Sequence, residues 1–88
     1  MNKYVKTTPW SDPEAAMKKI LEIANGVEAV QDGRIHIEKI NGPFLFQHGA
    51  LPTQYAAGIK LAIDRGFLVM HESGTYVRFT QAGSDLFA

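Results

Sequence analysis

The stretch from Ile40 to Gly49, INGPFLFQHG, decides how the chain folds. Asn41-Gly42 between apolar residues is a strong hairpin signal, yet Pro43 follows at once. In a two-residue hairpin from Ile40 to Pro43, the amide of residue 43 closes the turn by donating to the carbonyl of residue 40. Proline has no amide hydrogen, so that bond cannot form. A helix uses the same residues better. Asn41 is a good N-cap, Pro43 falls in a first turn where its missing N–H costs nothing, and Gly49 marks the stop. The expectation is a short helix over 42–48, with Ile40, Phe44 and Gln47 on one side and an irregular turn as the alternative.

Upstream, WSDPEAAMKKILEIANG reads as a longer helix over about 12–25. Ser11 with Glu14 fits a capping box, Pro13 suits the first turn, and Trp10 is placed to staple against Ala15. Ala16, Ile20, Ile23, Ala24 and Val27 share one helical face. Gly26 is a natural stop. The bridge VEAVQDG ends in an Asp-Gly turn signal. RIHIEKI then alternates, with Ile35 and Ile37 on one face and Arg34, His36 and Glu38 on the other, which predicts a short half-buried strand. Residues 1–9 are expected to form a loose arm, leaving 10–88 as one domain.

Downstream, LPTQYAAGIKLAIDRG predicts a helix over about 53–65, started by Thr53 or Pro52 and ended by Gly66. Tyr55, Ile59, Ala62 and Ile63 make its buried stripe. FLVMHESGTYVRFT predicts two strands around Ser73-Gly74. After Thr80, QAGSDLFA is expected to form one helical turn that tucks Leu86 and Phe87 onto the first helix.

The chain has 88 residues, enough for one domain with a small core. At 45% hydrophobic and 20% charged it has the composition of a folded chain, not a disordered one. It contains no cysteine, so disulfides and thiolate chemistry are excluded. Nine basic residues balance nine acidic ones, which counts against a strong non-specific phosphate binder. The first residues lack the apolar core of a signal peptide, and no apolar run reaches bilayer length. A cytoplasmic protein without membrane contact is the expectation.

The order helix, strand, short helix, helix, strand, turn, strand resembles the winged-helix domain. LAIDRGFLVMHESGTYVRFTQAGSDLF is similar to the end of many bacterial winged-helix proteins. There a recognition helix ends in glycine, an apolar strand follows, a short turn makes the wing, and the return strand runs into Thr-x-x-Gly-x-x-Leu. Gly66, Phe67 to Met70, Ser73-Gly74, Tyr76 to Phe79, and Thr80, Gly83 and Leu86 occupy those places. The resemblance implies an α+β fold of three helices, a short antiparallel sheet and a hairpin wing.

It also implies double-stranded DNA as the partner, read by the helix over 53–65. On that helix Thr53 and Gln54 suit base edges and Lys60 suits backbone, with Arg78 joining them from the wing. Ala57, Gly58 and Leu61, however, are small or apolar and suit a protein interface. The alternative function is therefore a dimerisation or interaction module on the same fold.

Other chemistry has little support in the residues. His36 and Glu38 share the expected strand face, but no His-x-x-x-His or cysteine cluster joins them into a metal site. Ser11, Ser73 and Ser84 lack a nucleophile signature. Phe44, Phe46, Phe67 and Phe79 are read as core, because a stacking platform for RNA wants more flanking cations than Arg78 alone. No cofactor, small-molecule substrate or enzymatic activity is expected.

Overall fold

INGPFLFQHG is helical as far as Phe46, two residues short of the expected end, and its helix begins earlier than its residues suggest. The computed structural model describes residues 8–27 and 33–88. The expected arm falls mainly on residues 1–7 and the bridge mainly on 28–32, which lie outside the described set. Among the described residues, a short 3₁₀ turn over Pro9–Ser11 leads into α1 (Pro13–Gly26), β1 (Ile35–His36), α2 (Glu38–Phe46), α3 (Pro52–Asp64), β2 (Leu68–Met70), β3 (Tyr76–Phe79) and α4 (Gln81–Asp85). The fold is α+β. Four α-helices stand among the described residues, one more than the expected three, because the last turn qualifies as a helix.

The expected strand over 34–40 shrinks to Ile35 and His36. Ile37 already has helical backbone and caps α2, and its carbonyl accepts from the amides of Ile40 and Asn41 at 2.9 Å each. Asn41 is thus inside the helix rather than at its cap, and His36 and Glu38 share no strand face. Pro43 sits in the helix interior and leaves the carbonyl of Lys39 without its usual donor. Lys39 itself is exposed. Gly42 makes the arrangement tolerable. A residue before proline is pushed out of the α region partly through its Cβ, and glycine has none. The gain is burial, since Ile40 and Phe44 are both fully buried.

In α1 the cap is Asp12, whose carboxylate accepts from the Glu14 amide at 3.0 Å; Ser11 is not the cap. Trp10 is consequently not the N′ residue. Its ring packs on Phe44, with centroids 5.5 Å apart, and its indole N–H donates to the His48 carbonyl at 2.8 Å. Gly26 is the last helical residue, and Val27 ends the helix in extended backbone.

Helix α1 leans mainly on α3, and Gly58 is why they approach so closely. A Cβ on Gly58 would lie 2.7 Å from Ile20 Cδ1 and 3.0 Å from Ala16 Cβ. At its far end α3 closes with a Schellman motif. Gly66 has φ +77°, its amide donates to Ile63, and the Phe67 amide donates to Ala62.

The sheet is antiparallel in the order β1-β3-β2, with Ile35 opposite Val77 and Leu68 opposite Phe79. Its inner face contributes Ile35, Leu68 and Val77 to a core completed by the buried residues of α1, α2 and α3. The Thr80–Gly83 ending then docks α4 on the end of α3. The Thr80 hydroxyl donates to the Gly66 carbonyl and accepts from the Gly83 amide, while the Thr80 amide donates to the Phe67 carbonyl at 3.1 Å. Any Cβ at position 83 would lie 2.0 Å from that Phe67 oxygen. Leu86 and Phe87 are not tucked onto α1 as expected: both stay exposed, bordering a groove of about 240 Å³ with Lys18, Leu21 and Glu22, and the Phe87 ring meets Phe79 edge-on.

Candidate nucleic-acid interface

The face of α3 turned from the core does not present the side chains assigned to it as one reading surface. Thr53 is exposed in the first turn. Gln54, one residue on, is held within the chain. Its Oε1 accepts from the Leu51 amide at 2.9 Å and from the Thr8 hydroxyl at 3.1 Å, and its Nε2 donates to Ser11 Oγ at 3.3 Å. The first bond is half of a capping box, since Leu51 has no side-chain oxygen to reciprocate. The other two fasten α3 to the turn that precedes α1.

Lys60 is exposed and pairs with Asp64 one turn later, Nζ to Oδ2 at 2.8 Å. Arg65, at the end of α3, pairs with Glu14 in the first turn of α1. That hydrogen bond, and then the guanidinium charge, hold the Glu14 carboxyl below the usual carboxylate range. Both cations on this helix are therefore matched by a carboxylate.

Of the residues considered for a protein interface, only Ala57 is exposed. Gly58 is buried against α1 and Leu61 is half-buried against the core, so the three do not form an outward ridge. Helical spacing placed Gly58 on the outer side because it treats the buried face as one stripe. Here α3 is flanked by α1 and by the sheet, which widens that stripe. The exposed apolar surface lies elsewhere. Phe46 is 87% exposed and Leu51 40%, and they bracket the turn between α2 and α3. Phe46 is thus not core; it is the last residue of α2, two positions after Phe44 and so on the side of the helix opposite the face that buries Ile40 and Phe44.

Arg78 emerges from the outward side of β3, beside residues that no local motif singled out. Strand alternation turns Val77 inward and Tyr76 and Arg78 outward. Pairing brings His36 opposite Tyr76 and Val69 opposite Arg78. Around the Tyr76 ring, His71 stacks at 4.4 Å between centroids, His36 meets it edge-on at 6.3 Å, and the Arg34 and Arg78 guanidiniums lie 5.1 and 5.8 Å from its centre. These residues come from three separate segments, which is why sequence spacing did not reveal them.

The turn between β2 and β3 is not basic. Glu72, Ser73, Gly74 and Thr75 form it, and Gly74 takes φ +74°. The Ser73 amide donates to His71 Nδ1 at 3.1 Å, which leaves the proton of a neutral His71 ring on Nε2.

Among the described residues there is no group of three or more His, Cys, Asp or Glu side chains placed to hold a metal ion. No helix among them is long and apolar enough to cross a membrane. The Tyr55 hydroxyl is buried without a hydrogen-bond partner among the described residues, and burial pushes its pKa up to about 12. No family model, curated protein or solved structure matches the chain.

Proposed function

We propose that this chain is a small winged-helix protein that binds double-stranded DNA weakly, or with the help of a partner, through phosphate contacts rather than by reading bases. The observation that carries the fold assignment is the strand order. A first strand between α1 and α2, and a hairpin whose second strand is central, give the order β1-β3-β2, which supports the winged-helix reading. The short connection from α2 to α3 has the place of the helix-turn-helix. Low sequence discrimination follows from Gln54. Its carbonyl oxygen already accepts from Leu51 and Thr8 and one Nε2 hydrogen goes to Ser11, so the amide keeps a single free N–H and lacks the acceptor that bidentate pairing with an adenine edge needs.

Fluorescence anisotropy with several unrelated duplexes tests this. Affinities should be similar across sequences and should fall steeply between ~50 and ~200 mM salt, as counterion release requires. A chain with no duplex affinity at ~50 mM salt would exclude it.

A second reading, a dimerisation or protein-interaction module on the same fold, is favoured by the exposure of Phe46 and Leu51. Light scattering over a range of concentrations distinguishes the two. A dimer that Phe46→Ser converts to monomer, in a chain without duplex affinity, would put the interaction module first.

A further inference from the structure

Zero net charge hides an uneven distribution of charge. The cations at the outer end of α3, Lys60 and Arg65, are each neutralised by a carboxylate. Arg78 is exposed and makes no ion pair among the described residues. It stands on the same outward sheet face as Arg34, with both guanidiniums beside one tyrosine ring. Arg34 is anchored by further interactions besides this one. Cation–π contact fixes the direction of a guanidinium without cancelling its charge.

His36 and His71 complete the ring of groups around Tyr76, and His71 is itself oriented by Ser73. The Tyr76 face is covered by the His71 imidazole, so it is not an open platform for a base. The chemistry this arrangement accepts is an anion with oxygen acceptors spread along a line, approached by guanidinium and imidazole N–H donors. Glu72, next to His71 in the turn, is an exposed carboxylate.

We propose that this outward face of the sheet, centred on Arg78 and Tyr76 with Arg34, His36 and His71, binds the phosphodiester backbone of nucleic acid, and that α3 does not. The proposal rests on the nucleic-acid reading above, but it does not require the backbone to belong to a duplex. Contact runs across the strands, so the duplex or single strand is held by the sheet rather than by a helix in a groove. Arg78 supplies to this face a charge that no ion pair among the described residues matches.

The experiment titrates a short labelled duplex, and separately its unpaired strand, with the parent, Arg78→Gln, Arg78→Glu and Lys60→Gln. Circular dichroism checks that each variant is folded. Arg78→Gln should weaken binding about tenfold and lower the slope of log affinity against log salt by about one. Arg78→Glu should weaken it further, and Lys60→Gln should leave affinity and slope unchanged. If Lys60→Gln weakens duplex binding and the Arg78 variants do not, the sheet proposal is overturned while the DNA reading stands. Binding of the single strand alone, abolished by Arg78→Glu, supports the sheet face and overturns the duplex reading. Failure of the parent to bind either probe overturns both.

Discussion

Gly58 and Gly83 both permit a close approach through the absence of a Cβ, but against different obstructions. At Gly58 the obstruction is a neighbouring side chain, Ile20, and the Ala16 methyl. Gly58→Ala gains roughly 1 kcal/mol of helix propensity but overpacks the contact, which costs roughly 1–3 kcal/mol. The expected net result is a modest loss, seen as a small drop in denaturation midpoint. At Gly83 the obstruction is the Phe67 carbonyl, which cannot rotate away. Gly83→Ala should therefore cost more than Gly58→Ala in the same urea titration, and a smaller effect would contradict the docking described for α4. Tyr55 offers the opposite sign. Its hydroxyl is buried without a partner among the described residues. Tyr55→Phe removes a polar group whose burial costs roughly 1–3 kcal/mol, and thermal stability should rise.

At the scale of elements, α2 and α3 show what was legible and what was not. That the chain is helical from residue 42 on was readable, because proline forbids the hairpin's closing bond, though the helix stops at Phe46 rather than running to 48. The start of α2 was not. Ile35 and Ile37 alternate as a strand should, and no cap residue announces a helix at Glu38. The core overrides both signals by burying Ile40 and Phe44 one turn apart. Pro43→Ala should restore an internal hydrogen bond to the Lys39 carbonyl and stabilise the protein by about 1 kcal/mol, partly offset by greater freedom of the unfolded chain. For α3, Thr53 and Gln54 looked alike on a helical wheel. Only the return of Thr8 and Ser11 to the start of α3 distinguishes them. Gln54→Ala is accordingly expected to lower stability by roughly 1–2 kcal/mol, the scale of a lost cap. It should leave the relative affinities for different duplexes unchanged, and altered preference in a competition assay would restore it as a base-reading residue.

For the whole molecule, the apolar patterns of α1, α3, β2 and β3 were visible along the chain, and the core follows from them. The outward face of the sheet was invisible, because its residues come from positions 34–36, 71 and 76–78 and meet only when β3 pairs on both sides. Long-range charge pairing was hidden likewise. Glu14 and Arg65 join α1 to the end of α3, and the Glu14 pKa is lowered in the folded chain. A depressed carboxyl pKa stabilises the folded state above the unfolded pKa, and that contribution is lost as pH falls through the folded value. Stability should thus decline on acidification below the ordinary carboxylate range. Glu14→Gln should flatten that acid limb and leave its neutral-to-basic side parallel to the parent, as measured by urea midpoints across pH. Because both groups are exposed to solvent, added salt should shrink the difference.

The central place of β3 also governs when the sheet comes into being during synthesis. β1 and β2 are not neighbours; each pairs only with β3. A growing chain that has reached Thr75 already holds both outer strands, yet neither has anything to bond with. The helices, whose hydrogen bonds are local, have no such dependence. The residues that would meet nucleic acid are therefore scattered until Tyr76 to Phe79 are made, and one short, late segment assembles them all at once.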